Sequence, residues 1–504
     1  MRRIVSNYIR LATTFAIGVV IIRLMAEIGQ SALVLYLLLV AGTGLAQLFK
    51  IVLRESVIPV LGLTFDGKSG RSFDQVYRAA VVSSFFAGLF CLLCFAVIWA
   101  VSGNLDLGGL GALTVAVAIG SCGAQTFASA VATPFLNAVL IDHRIVSYNV
   151  FLILERLTEL VAAVVALLLP PEYGLEERVI VFYALSGGLF LLLQVGIFVY
   201  ATRCDARFRV SRGRLVRSDI RWIAGFLGWN LAVVAGFALY TRLTMFTVNW
   251  GLGEGATLGL GLVLALIGYQ RQIAMGLVIG LDAAISRHYG KDTAGGRRDA
   301  EALTIRSTYI QAVFAAFSIA LLWVFIEPIL RLWLGHSLAA SDWDVGQSVL
   351  LFKVMSIGIA ARSISEGWMK FLSGKGEVRS FAPFILGGGA VFAVFVLVVV
   401  SRGTAWDVLL MIAIAYSAFH VIVHAGLIAF RTAGALGVRA RTLFGLVALP
   451  FVLACALVGL HRLIYDTTLS SEAGLVALFL LGLGGIASLV ATGPVIARLS
   501  GEPR

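Results

Sequence analysis

Charge is what this sequence lacks most. Only 13% of its residues are Asp, Glu, Lys or Arg, against 60% hydrophobic residues and a mean hydropathy of +0.97. A water-soluble domain carries about 25% charged residues, so a soluble enzyme is excluded. Acidic residues are scarcer still, 27 against 39 Lys and Arg, for a net charge of +12. That excess gathers in alternate loops, which argues against nucleic acid as a partner. Five cysteines (Cys91, Cys94, Cys122, Cys204, Cys455) form no disulfide framework. Cys91 and Cys94 make a C-x-x-C inside an apolar run without partner ligands, so they read as small core residues. A phosphate loop is missing too. Gly67-Lys68-Ser69 lacks the upstream glycine and Ser373-Gly374-Lys375-Gly376 has the wrong order, so the polypeptide does not hydrolyse ATP. Long loops are absent: the longest connection holds about twenty residues, too few for a domain. No small-residue cleavage site follows the basic Met1–Arg10, and Arg23 interrupts the apolar run, so a retained first helix is expected.

What is present is a series of about fourteen apolar segments, each long enough to cross a ~30 Å hydrocarbon layer as a helix. They lie near 8–28, 33–60, 76–101, 110–138, 146–169, 179–201, 222–249, 256–283, 306–333, 347–372, 378–400, 405–430, 442–464 and 473–497. An all-α polytopic membrane protein is expected. Alternate connections are rich in Lys and Arg, among them Arg2 and Arg3, Lys68 and Arg71, Arg203–Arg217, Arg287–Arg298, Lys375 and Arg379, and Arg431–Arg441. The connections around Gly29, Asn104, Glu172, Glu254, Ser341, Thr404 and Thr467 are nearly free of them. Positive loops stay in the cytoplasm, so both termini are expected there.

The basic stretch 204–221 divides the chain into a six-helix lobe (1–203), a second six-helix lobe (222–430) and an additional helix pair with its tail (431–504). Gly18-Val-Val-Ile-Ile-Arg23-Leu24 in the first helix is echoed by Gly236-Phe-Ala-Leu-Tyr-Thr-Arg242-Leu243 in the seventh. Arg54 then follows Arg23, and Arg271 follows Arg242, at nearly equal spacing. An even number of helices per repeat makes the repeat parallel, about an axis along the membrane normal.

A cation at the centre of a membrane helix costs about 2.5–3.5 kcal/mol on the insertion scale, so five cations become candidate substrate ligands: Arg23, Lys50, Arg54, Arg242 and Arg271. Arg23 can snorkel outward or pair with Glu27 one turn on. Arg271, placed near the middle of the 256–283 segment, needs a wet cavity or a buried partner. Thr43, Gln47, Lys50 and Arg54 form one polar stripe on the second helix, facing water or a helix–helix seam. Ser121, Gln125, Ser129, Thr133 and Asn137 make a ribbon on the fourth, either a wall for sugars or packing glue. Arg362, Glu366 and Lys370 stack on the tenth helix; Glu155, Arg156 and Glu159 lie on the fifth. These acids are candidates for neutralising cations or for holding a coupling H+ or Na+. Asp282 reads as a boundary residue. His420 and His424 share a face, and packing or lipid contact is expected there rather than a metal site. An unpaired cationic interior selects an anion, and the planar guanidinium fork suits phosphate oxygens.

The opening Asn7-Tyr8…Phe15-x-x-Gly18…Arg23, the following Gly29…Tyr36-x-Leu38, the six-plus-six-plus-two plan and the cations on helices one, two, seven and eight resemble the polysaccharide flippases of the multidrug/oligosaccharidyl-lipid/polysaccharide exporter superfamily. The resemblance implies two six-helix lobes in a V and alternating access. It implies passage of an undecaprenyl-diphosphate-linked oligosaccharide from the cytoplasmic to the outer leaflet of a bacterial inner membrane. Arg23, Arg54, Arg242 and Arg271 would contact diphosphate or acidic sugars, with no cofactor. A monomer among membrane lipids is expected, with other glycan-assembly membrane proteins as candidate partners. Two alternatives stay open. One is a cation-coupled small-molecule antiporter of the same architecture, although the first helix offers only Glu27. The other is a glycan polymerase or ligase, for which the outer connections supply mainly Glu172, His336, Asp342 and Asp344.

Overall fold

The structure is a computed structural model that describes residues 2–40, 61, 64–65, 72–142, 144–210, 215–276, 278, 281–289, 294–339 and 343–464. Lys50, Arg54 and Gln47, and the last expected helix at 473–497, lie outside the described residues. Among the described residues the chain is helical throughout. Helices α1 (Arg2–Ile28), α2 (Gln30–Val40), α3 (Phe73–Val101), α4 (Ala112–Ile141), α5 (Ile145–Leu167) and α6 (Leu175–Cys204) come first. Next come α7 (Arg217–Ala238), α8 (Thr244–Gly276), a short α9 (Leu281–Tyr289), α10 (Ala294–Leu334), α11 (Val345–Gly374) and α12 (Ala382–Val400). The series ends with α13 (Ala405–His420), α14 (Ala429–Leu436) and α15 (Ala440–Ile464). Nine helical stretches among the described residues are long and apolar enough to cross a membrane. This is an all-α, multi-pass membrane protein.

Two compact units form. One comprises Met1–Gly261, His336–Trp343 and Ala393–Ser401; the other comprises Leu262–Gly335, Asp344–Phe392 and Arg402–Arg504. In the first unit α4 packs on α3 and α6, α1 on α5, and α5 on α6. Its aromatic core is built from Tyr77, Phe135 and Phe208 with Phe65 and Phe73 at its edge. Phe208 belongs to the basic connection after α6, yet it is fully buried and stacks on Phe65 at 6.1 Å, while the Arg207 guanidinium lies 3.9 Å over the same ring. The connection is thus anchored at its start. Outward faces are apolar: Phe86, Phe90, Leu93 and Val97 of α3 are exposed at helical spacing, as a lipid-facing helix requires.

In the second unit α10 packs on α11 and α15, and α11 on α13. Helix α11 is the interior helix, with 78% of its most apolar window buried. Asp344 caps its start, its carboxylate accepting from the Gln347 amide at 3.2 Å. A helix surrounded by protein can carry polar side chains only if its neighbours satisfy them. That condition places Arg362 and Glu366 in a built environment.

Two stretches depart from α geometry. Leu239–Leu243, joining α7 to α8, and Val421–Ile428, joining α13 to α14, are π-helical. Such bulges recur at functional positions because they turn a side chain out of the regular ladder. The first carries Arg242 and the second His424. Helix α8 is broken at Gly253 (φ 82°), which matches the connection expected between the 222–249 and 256–283 segments.

Candidate functional site

Arg362 lies about twelve residues or ~18 Å from the end of α11 at Gly374. It is 3% exposed, and Glu366 one turn on is 5% exposed. Glu366 Oε1 accepts the Nε–H of Arg271 at 2.9 Å and lies 3.8 Å from Nε of Arg362. Two guanidiniums therefore share one carboxylate oxygen, and the three groups sum to +1. Around them Gln311 of α10 accepts the Gly367 amide at 3.1 Å, and Thr308 accepts the Trp368 indole N–H at 3.0 Å. His420 and His424 are both fully buried, with rings 5.4 Å apart; Ser365 Oγ meets His424 Nδ1 at 2.6 Å. Of the packing and lipid-contact readings for these histidines, the structure realises packing. One turn nearer the C-terminal end of α11, Lys370 donates to Asp282 at 3.0 Å, so Asp282 is a counter-ion.

Arg271 has a buried partner, Glu366, one of the two environments that the sequence required of it. It stands five residues before Gly276, where α8 ends. Its side chain is 27% exposed, the most accessible of the three groups. Arg362, which the sequence placed only as a secondary candidate, is the more buried of the two arginines. The signal that marks it is its i, i+4 spacing from Glu366.

The remaining candidates fall in the first unit. Arg23 pairs with Glu27 at 3.0 Å and is 48% exposed, the local pairing that the sequence allowed. Arg242, carried by the π-helical turn, donates to the Val40 carbonyl at 3.3 Å. Gln125 reaches Ser121 Oγ at 3.3 Å and Ser186 Oγ at 3.4 Å, and Ser121 donates to the Tyr183 carbonyl at 2.5 Å. That end of the α4 ribbon is spent on the α4–α6 seam. Thr133 returns its hydroxyl to Ser129 O at 2.8 Å, and Asn137 is 1% exposed. On α5, Glu159 takes both its contacts from Arg156 at 3.2 and 3.0 Å, and Glu155 accepts from Gln194 of α6 at 3.1 Å. Among the described residues no group of three or more His, Cys, Asp or Glu side chains is placed to hold a metal ion.

No family model matches the sequence, and no curated relative does. Solved structures do. A lipid II flippase MurJ in an inward closed conformation superposes with a TM-score of 0.67 over 97% of this chain and 99% of that one, at 10% identity. An inward-facing multidrug resistance MATE family transporter of the MOP superfamily gives 0.63 over 86% of this chain and 99% of its own, at 12% identity. A MOP superfamily transporter from Pyrococcus furiosus, described by a reversed polarity of its binding pocket, gives 0.54 over 87% and 96%, at 12% identity. The chain shares the fold of these proteins. At this identity the likeness concerns fold alone.

Proposed function

We propose that the protein is a flippase that carries an undecaprenyl-diphosphate-linked oligosaccharide from the cytoplasmic to the outer leaflet of a bacterial inner membrane by alternating access. The observation that carries this reading is the Arg271–Glu366–Arg362 cluster, in which one carboxylate serves two guanidiniums. A multidrug exporter that takes organic cations has no use for surplus positive charge inside its helices. A carrier of diphosphates does, because bidentate guanidinium–phosphate pairs are the strongest neutralising contacts a side chain can offer. Arg271, the partly exposed member, is the group that meets the ligand; Arg362 is buried beside Glu366. Arg242, on its π-helical turn in the first unit, is a further candidate for an anionic ligand, as are Arg23, Lys50 and Arg54. The broader match to the flippase fold than to the MATE fold, 97% against 86% of this chain, supports the same choice.

The test is a liposome assay with a fluorescent undecaprenyl-diphosphate disaccharide, following loss of inner-leaflet label. Native protein is expected to move the probe, and Arg271→Ala and Arg242→Ala to slow it at least tenfold at equal reconstitution. Native protein that moves organic cations but not this probe would establish the antiporter reading instead.

A further inference from the structure

The outer ends of the first unit are tied by a clasp whose parts are far apart in sequence. Asp106 lies in the connection between α3 and α4. Its backbone amide donates to Asn249 Oδ1 at 3.0 Å, and its carbonyl accepts from Asn249 Nδ2 at 2.8 Å, a paired contact of one peptide with one side-chain amide. Asn249 is fully buried and also donates to Thr257 Oγ1 at 3.1 Å across the break in α8. The Asp106 carboxylate does two further things. Oδ1 accepts the Gly108 amide at 3.3 Å, which shapes its own loop, and Oδ2 accepts the Glu254 amide at 3.0 Å. Glu254 opens the second half of α8 after Gly253, where a helix start presents amides that need an acceptor. Asp106 therefore caps a helix that belongs to a different part of the chain.

The surrounding backbone is cut to fit. Gly253 (φ 82°) would place a Cβ 2.8 Å from Asp106 Oδ2, and a Cβ on Gly108 (φ 62°) would run into Ser31 Oγ and Glu254 Oε2. Ser31, at the start of α2, donates to the Gly108 carbonyl at 3.4 Å. A Cβ on Gly251 would strike Val400 at the end of α12. Three of the connections that the charge pattern assigns to the outer side thus meet, those near Gly29, Asn104 and Glu254.

We propose that Asp106, Asn249 and the Glu254 amide form an outer latch, which holds 104–108 against 249–257 and must part once in every transport cycle. The proposal rests on the transport reading above for its cycle, but the latch contacts do not depend on which substrate is carried. A purely structural staple would be closed in all states. A latch is closed here and open in the state that releases cargo outward.

The experiment places nitroxide labels at Asn104→Cys and Gly255→Cys, both exposed, in a variant whose five native cysteines are replaced. Distances are read by pulsed dipolar spectroscopy in liposomes, without and with the undecaprenyl-diphosphate disaccharide probe. One short distance is expected without probe, and a second, longer population when probe is present. Asp106→Ala should raise the longer population about tenfold without probe, equivalent to about 1.4 kcal/mol. Asp106→Asn, which keeps an oxygen for the Glu254 amide, should restore the native distribution. Asn249→Asp, which keeps the side-chain size but not the donor to Asp106 O, should behave like Asp106→Ala. A single short distance in all variants, with probe moved at native rates, would overturn the latch. Probe left unmoved by the native protein, with the longer population still appearing in Asp106→Ala, would overturn the substrate assignment and leave the latch standing.

Discussion

Removing Glu366 should be the most damaging single change inside the second unit. At contact separations of 2.9 and 3.8 Å, an effective dielectric of about 20 makes each attraction roughly 4–6 kcal/mol before desolvation is counted. Much of that gross energy only offsets the cost of taking three ions out of water. The measurable quantity is the penalty of leaving the partners behind. Glu366→Ala strands Arg362, 3% exposed on a helix enclosed by protein, and such a change costs about 3–5 kcal/mol. Arg271→Ala should cost less, about 1.5–3 kcal/mol, because it deletes one charged hydrogen bond while Arg362 still neutralises the carboxylate. Reversible unfolding in mixed micelles, followed by tryptophan fluorescence, reads both. The triple change Glu366→Leu, Arg362→Met and Arg271→Met should recover to within about 1 kcal/mol of native, since an apolar trio of similar volume carries no desolvation cost and leaves no ion behind. The reasoning fails if Glu366→Ala lies within about 1 kcal/mol of native, or if Arg271→Ala proves the more harmful.

Three further expectations follow from the first unit. Gly108→Ala should destabilise by about 1–3 kcal/mol, from left-handed backbone strain alone, and pairing it with Ser31→Ala should relieve part of the loss in the same unfolding assay. Phe208→Ala should cost about 3–5 kcal/mol despite its place in a hydrophilic connection, read as a lowered unfolding midpoint; a surface loop residue would change it by under about 0.5 kcal/mol. Asp205 is held below the ordinary aspartate range by the hydrogen bond from the Arg207 side chain. A lowered folded-state pKa gives a contribution that is complete above the unfolded-state value and is lost as pH falls through the folded-state one. Between pH 5 and 8 the staple should therefore be pH-independent. Asp205→Asn should speed tryptic cleavage after Arg207 and Arg209 at pH 7.5 by up to about fivefold, as an exposed pair worth 0–1 kcal/mol allows, and equal cleavage rates would remove the staple from the account.

The helices were legible because hydrocarbon thickness and backbone satisfaction leave few options: 76–101 became Phe73–Val101, 347–372 became Val345–Gly374, and 442–464 became Ala440–Ile464. Helix ends were less legible. Apolar residues continue past Gly276 through Val278 and Leu281, so hydropathy extended the segment to 283, whereas Leu281 opens the separate helix α9. Pairing across helices was not legible at all. Nothing in the order of residues says that Arg271 and Glu366 share a hydrogen bond, or that Asp106 caps the helix opening at Glu254. Both are contacts between segments with opposite needs, a cation with a carboxylate and an uncapped helix start with an acceptor. Such needs are visible one residue at a time, and only the fold decides which neighbour answers them. The same rule explains Gln125. A polar ribbon on a membrane helix demands partners, and the demand is met equally well by a sugar or by an adjoining helix. Ser186 and the Tyr183 carbonyl on α6 meet it for Gln125 and Ser121.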